Sequence, residues 1–273
     1  MIFWKILFLL ASGLFAGFLA GFFGIGGGVI LVLILMYYYS GTGIPADLTP
    51  KIAVATSLFT IIFTSISSTI KQYENKNIEW KLTFTMGLAS IISALVGSKI
   101  ASVVSGNFIK TFIIAVIIFA GLRMLLAGNS EVDIDDLTNY KSDASPFSAI
   151  FWGFITGIVS IFAGVGGGIL LVPVMNHLMK VPIKRAIGTS SSIIILTSTF
   201  GTLGYVINGL GKPELEALGT LGFVDYTAGI PIIIGSILTS RLGAHASYRT
   251  KSKLLKKLFA LLLITVAILT LLK

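Results

Sequence analysis

Long apolar runs separated by short polar stretches dominate the chain, and they predict helices that cross or enter a membrane. Eight segments can be marked: 3–37, 51–71, 80–103 and 107–127, then 147–179, 183–208, 222–243 and 254–272. Trp4, Tyr37-Tyr38-Tyr39, Trp80, Trp152, Tyr205, Tyr226 and Tyr248 fall near segment ends, where aromatic rings anchor at the membrane interface. The first segment of each set has an odd length. About 34 residues make a helix of roughly 51 Å, against a hydrocarbon core of about 30 Å. That is too long for one straight span and too short for two complete ones.

Glycine explains the length. Gly24-Ile25-Gly26-Gly27-Gly28 interrupts the first run, and Gly164-Val165-Gly166-Gly167-Gly168 interrupts the fifth. Each glycine costs a helix interior roughly 1 kcal/mol relative to alanine, so both helices are expected to break there. A break inside lipid is tolerated only where its amides and carbonyls face protein or a polar cavity. The helix restarting at Val29 carries unpaired N–H groups with positive partial charge, which suits an anion. Two such breaks at matching positions point to a transporter's binding site.

The positions match because the chain repeats itself. Gly17 to Val32 aligns with Gly157 to Val172 at constant shift, Ala53-Val54-Ala55-Thr56-Ser57 with Ala186-Ile187-Gly188-Thr189-Ser190, and Ser98-Lys99-Ile100 with Ser240-Arg241-Leu242. The predicted organisation is a first transmembrane repeat over 1–127, an acidic linker over 128–145 and a second repeat over 146–273. If the broken segments cross, each unit has four spans and the repeats are parallel. If they re-enter, each has three crossings and the repeats are inverted. Crossing puts about twelve of the twenty Lys and Arg on one side and re-entry about fourteen, so the inverted arrangement is preferred. Under either, Arg249 through Lys257 is expected to be cytoplasmic. Ile2 to Leu10 with Lys5 has the look of a signal peptide, but its continuation is duplicated at 150–175, so it reads as retained structure.

Composition sharpens the class. Only 11% of the 273 residues are charged, against about a quarter in soluble proteins, and mean hydropathy is +0.97. The fold class is therefore an all-α polytopic membrane protein, two pseudo-symmetric four-segment repeats each broken at its first segment. There is no cysteine, which removes thiol catalysis and Cys-based metal sites. The net charge of +9 marks membrane-flanking loops rather than a nucleic-acid partner, since no clustered basic fold is visible. All eleven acids, from Asp47 to Asp225, fall in loops or at segment ends. A proton- or cation-coupled carrier usually keeps such groups deep in the membrane.

Enzyme readings of the glycines fail. A dinucleotide fingerprint lacks its last glycine, since Val29 and Ile169 stand there, and a phosphate loop lacks its Gly-Lys-Ser/Thr. No intramembrane acid, thiol or metal-spaced histidine cluster exists to carry chemistry, so no cofactor and no metal are expected. Gly13, Gly17 and Gly21 at four-residue spacing read as helix-packing residues. Thr56, Ser57, Thr189 and Ser190 begin matching segments, and their hydroxyls can donate to an anion or to their own backbone. Lys51, Lys184 and Arg185 just precede these segments and form a candidate basic entrance, or plain interfacial anchors. Asn176-His177 reads as a cap or an interface residue rather than a proton carrier, and His245 suggests nothing.

Gly17-x3-Gly21-x2-Gly24-x-Gly26-Gly27-Gly28, its second copy ending in Pro173, and Ala186 to Ser190 resemble the TauE/SafE family of membrane permeases over nearly the whole chain. The resemblance implies movement of sulfite, sulfoacetate or other organosulfonates across the bacterial cytoplasmic membrane by a multi-pass protein. The first copy departs at Leu33 and Ala55, where the second has Pro173 and Gly188, which leaves the shape of the first break open. The expected site is the anion near the midplane, held by the amides of 26–29 and 166–169 (Gly24, Gly26, Gly27, Gly28, Gly164, Gly166, Gly167 and Gly168 forming the breaks). Thr56, Ser57, Thr189 and Ser190 complete its shell. The rival readings are an anion channel and a non-transporting scaffold. A homodimer is compatible with the sequence, which fixes neither oligomeric state nor direction of transport.

Overall fold

A computed structural model describes residues 2–126 and 145–271. The predicted linker at 128–145 therefore lies outside the described residues, apart from Ser145. Helices α1 (Ile2–Phe23), α2 (Gly28–Ser40), α3 (Leu48–Glu74), α4 (Trp80–Val103) and α5 (Gly106–Leu126) make up the first half. The second half holds α6 (Pro146–Ala163), α7 (Gly168–Pro173), a π-helical turn at Val174–Leu178, α8 (Ile183–Gly209), the short α9 (Pro213–Ala217), α10 (Tyr226–Arg249) and α11 (Ser252–Leu271). Among the described residues, six helices are long and apolar enough to cross a membrane: α1, α3, α4, α6, α8 and α10. The protein is an all-α polytopic membrane protein.

Some helices carry small and polar residues on the inner face and large apolar ones on the outer face. On α4, Ser90, Ser93, Ala94, Ser98 and Ala101 are buried, whereas Phe84, Leu88, Ile92 and Val103 are exposed. Lipid chains are as apolar as leucine, so burying large side chains between helices gains little there. Along such faces, close backbone approach and interhelical hydrogen bonds hold the helices together.

Those seams join the two halves. Gly13, Gly17 and Gly21 of α1 press on Ile232, Ser236 and Ser240 of α10, with no room for a Cβ at any of the three. This is the packing role expected of them. Gly153 and Gly157 of α6 meet Met86, Ser90 and Ser93 of α4 in the same way. Each broken helix thus packs along a helix of the other half.

Contact order also gives direction. Residue numbers rise together along the α1–α10 seam, and along α3–α10, where Thr56 meets Asp225 and Thr64 meets Ser236. So α1 and α3 point the same way, and α2 must bring the chain back between them. In the second half, α6 and α8 both run parallel to α4: Gly153 meets Met86, Thr189 meets Glu79, Ser192 meets Thr83 and Thr197 meets Ser90. Across the centre the order reverses. Leu58 lies against Gly201 and Ser68 lies 3.4 Å from Ser191, so α3 and α8 are antiparallel. They cross at Ile61 and Ile194, both wholly buried.

Candidate functional site

Both predicted breaks are present. Gly24, Gly26 and Gly27 have φ of +67°, +69° and +77°, and Gly164, Gly166 and Gly167 have +66°, +74° and +94°. Three left-handed residues in four cost an L-residue roughly 1–2 kcal/mol each, which is why glycine occupies them all. The difference between the copies does not affect the breaks, which share one shape. It appears further on: Pro173 has no N–H to continue α7, and the chain goes over into the π-helical turn, where α2 runs on with Leu33 to Ser40. Asn176 closes that turn by donating to Val181 O at 2.8 Å.

The breaks meet at the α3–α8 crossing, backbone against backbone. A Cβ on Gly28 would lie 2.7 Å from Val165 Cα, and one on Gly168 would lie 2.6 Å from Gly24 O. Gly28 and Gly168, which have helical φ, are small for this reason. Gly24 N and Val165 N end α1 and α6 by donating to Ala20 O and Ser160 O. Among the described residues, the amides of Gly26, Gly27, Val29, Gly166, Gly167 and Ile169 donate to no acceptor. A buried amide without a partner costs on the order of 1–3 kcal/mol.

The four predicted hydroxyls are all fully buried here, and each has a definite task. Ser57 Oγ donates to Gly164 O at 2.8 Å, across to the other half, and Ser190 Oγ donates to Gly24 O at 2.7 Å. Thr56 Oγ1 accepts from Asp225 N and Thr189 Oγ1 from Glu79 N, both at 2.9 Å. Asp225 and Glu79 are the residues that start α10 and α4. In this conformation all four hydroxyls hydrogen-bond to backbone groups. Ser57 and Ser190 turn the break carbonyls aside, and Thr56 and Thr189 tie the helix starts of the opposite half.

The candidate basic entrance is not one cluster. Lys51 begins α3 and Lys184 and Arg185 begin α8, which lie at opposite ends because α3 and α8 are antiparallel. Lys51 pairs with Asp47 at 2.8 Å and Arg185 with Glu79 at 3.0 Å, while Lys184 sits 5.7 Å above the Tyr248 ring. The Gly106 N–H and Lys51 together hold the Asp47 carboxyl below the usual range.

Two further hydroxyls stand at the breaks. Ser65 and Ser198 lie beside Gly26 and Gly166, 1% and 0% exposed. A second Thr-Ser pair, at 64–65 and again at 197–198, was the available signal for them in the sequence.

Comparison with known proteins identifies relatives over most of the chain. A family model for the sulfite exporter TauE/SafE matches residues 9–270. A probable membrane transporter protein of Haemophilus influenzae is 31% identical over 263 residues, covering 96% of this chain and 97% of the relative. One from Methanocaldococcus jannaschii is 31% identical, with 91% and 88% covered, and YunE of Bacillus subtilis, also a probable membrane transporter protein, is 26% identical, with 94% of each covered. No solved structure matches the chain. With its match running almost end to end, the chain belongs to the TauE/SafE sulfite exporter family of membrane transporters.

Proposed function

We propose that the protein is a permease that moves small sulfur-containing anions, sulfite or an organosulfonate, through a site where the two broken helices meet. The observation that carries this reading is the set of unpartnered amides at Gly26, Gly27, Val29, Gly166, Gly167 and Ile169. They come from two halves of the chain and meet at one depth, beside the α3–α8 crossing. Amides donate and carry partial positive charge, so they suit the oxygens of an anion. Ser57 and Ser190 hold the neighbouring carbonyls away from that ligand. In the conformation described, the breaks close on each other, so binding requires them to part.

The two units act as inverted repeats: α1–α2 and α6–α7 enter and return, and three helices cross in each half. The antiparallel α3 and α8 support this reading. Lys71, Lys76, Lys81, Lys184, Arg185 and Arg249 then gather at one end, which the positive-inside rule turns toward the cytoplasm. Lys51 and the Lys184–Arg185 pair serve opposite mouths.

Purified protein in liposomes should pass labelled sulfite, with sulfate and thiosulfate as comparisons. A scaffold passes none of them. Gly27→Val or Gly167→Val puts a branched residue at φ of +77° or +94° and should abolish flux while the protein still inserts. Full flux in either variant removes the site from the glycine breaks.

A further inference from the structure

The buried hydroxyls of α3 and α8 form two mirrored ladders, and almost every one has a partner. Thr56 and Ser57 are matched in role by Thr189 and Ser190. Two turns further on, Thr64 Oγ1 donates to Ser236 Oγ at 2.7 Å and Thr197 Oγ1 to Ser90 Oγ at 2.8 Å. The residues following these, Ser65 and Ser198, break the pattern. Their hydroxyls are buried and have no hydrogen-bond partner, although serine in a helix ordinarily satisfies itself on a carbonyl of the preceding turn. Thr69 and Thr202, one turn beyond on the same faces, also lack partners.

Where these hydroxyls lie gives them a role. Ser65 Oγ is 3.6 Å from the place a Cβ would occupy on Gly26, and Ser198 Oγ is 3.2 Å from that place on Gly166. Ile61 and Ile194 reach both glycines between them and close the spot with methyl groups. An unpartnered hydroxyl thus lies beside unpartnered amides in each break. We infer that Ser65 and Ser198 are substrate-binding residues that donate to the oxygens of the transported oxyanion, and that Thr69 and Thr202 receive it on its way out to either end. This deepens the permease reading and rests on it. Three of the break carbonyls, Gly24 O, Gly28 O and Gly164 O, already accept from Ser190 and Ser57, and the two serine hydroxyls add donors, which suits an anion better than a cation.

Sulfite and sulfoacetate uptake into proteoliposomes provides the test, with initial rates read as KM and maximal rate. A hydrogen bond to a charged group is worth enough that each of Ser65→Ala and Ser198→Ala should raise KM about 10-fold or more, and the double variant further. An unchanged KM in the double variant, with normal wild-type flux, overturns the hydroxyl site and leaves the permease reading standing. No oxyanion flux by the wild-type protein overturns both. A second measurement does not depend on the alanine variants. Ser65→Cys and Ser198→Cys place single thiols in a chain without cysteine, and sulfoacetate should slow their reaction with a methanethiosulfonate reagent. Equal labelling rates with and without sulfoacetate count against the site.

Discussion

Ser57 and Ser65 stand two helical turns apart on α3, both buried, and the structure gives them opposite predictions. Ser57 has a bond to lose: its proton lies on Gly164 O, and without it that carbonyl is buried with no donor. Ser57→Ala should therefore destabilise the protein by about 1–3 kcal/mol. Ser190→Ala should do the same through Gly24 O, since the two bonds mirror each other. Ser65→Ala and Ser198→Ala remove hydroxyls that have no partner, and should leave stability within about 0.5 kcal/mol of wild type. Thermal unfolding in detergent, without substrate, compares all four. If Ser65→Ala proves as destabilising as Ser57→Ala, its hydroxyl has a structural partner and cannot be reserved for a ligand.

At the scale of elements, the fold depends on close seams between halves. A side chain on Gly17 would overlap the Ser236 backbone, and one on Gly157 the Ser90 and Ser93 side of α4. Gly17→Leu or Gly157→Leu should prevent the broken helices from docking and leave little protein surviving size-exclusion chromatography as a single species. Phe15→Leu, at an exposed position on α1, should leave the yield unchanged. Much of this was legible in the sequence. Four-residue glycine spacing marked a packing face, and four glycines in five residues could not continue a helix. What those faces pack against was not legible, because α1 finds its partner in α10, more than two hundred residues later. The same gap bears on Thr56, Ser57, Thr189 and Ser190. Their positions near the breaks follow from the repeat, but whether a hydroxyl points at a ligand or a carbonyl depends on the other half of the chain. Ser65 and Ser198 went unnoticed for a related reason: only the assembled bundle shows which serine on a polar stripe lacks a partner. That Lys51 would pair with Asp47 and Arg185 with Glu79 was not legible in the sequence either.

For the molecule as a whole, the antiparallel crossing of α3 and α8 has a consequence for each end. From Ser65 to Thr69, α3 runs toward the end that carries Lys71, Lys76, Lys81 and Lys184, where Arg185 bridges to Glu79. From Ser198 to Thr202, α8 runs the opposite way, toward the end with Lys51, Lys110 and Lys212. Parallel repeats would have sent both threonines to one side. With the glycine breaks between them, the two hydroxyl ladders make half-paths of opposite direction, the arrangement an alternating-access carrier needs. Thr69→Cys and Thr202→Cys, each the sole thiol in its chain, should therefore react with a membrane-impermeant methanethiosulfonate from opposite faces. By the charge asymmetry, Thr69→Cys should react from the cytoplasmic face, seen in inside-out vesicles, and Thr202→Cys from the outer face, seen in right-side-out vesicles. Labelling of both from the same face would mean that the halves are not inverted, and the central site would open to one side only. Opposite labelling that stops when Gly27→Val is added would connect the two paths to the breaks, because the paths meet at the place where those glycines come together.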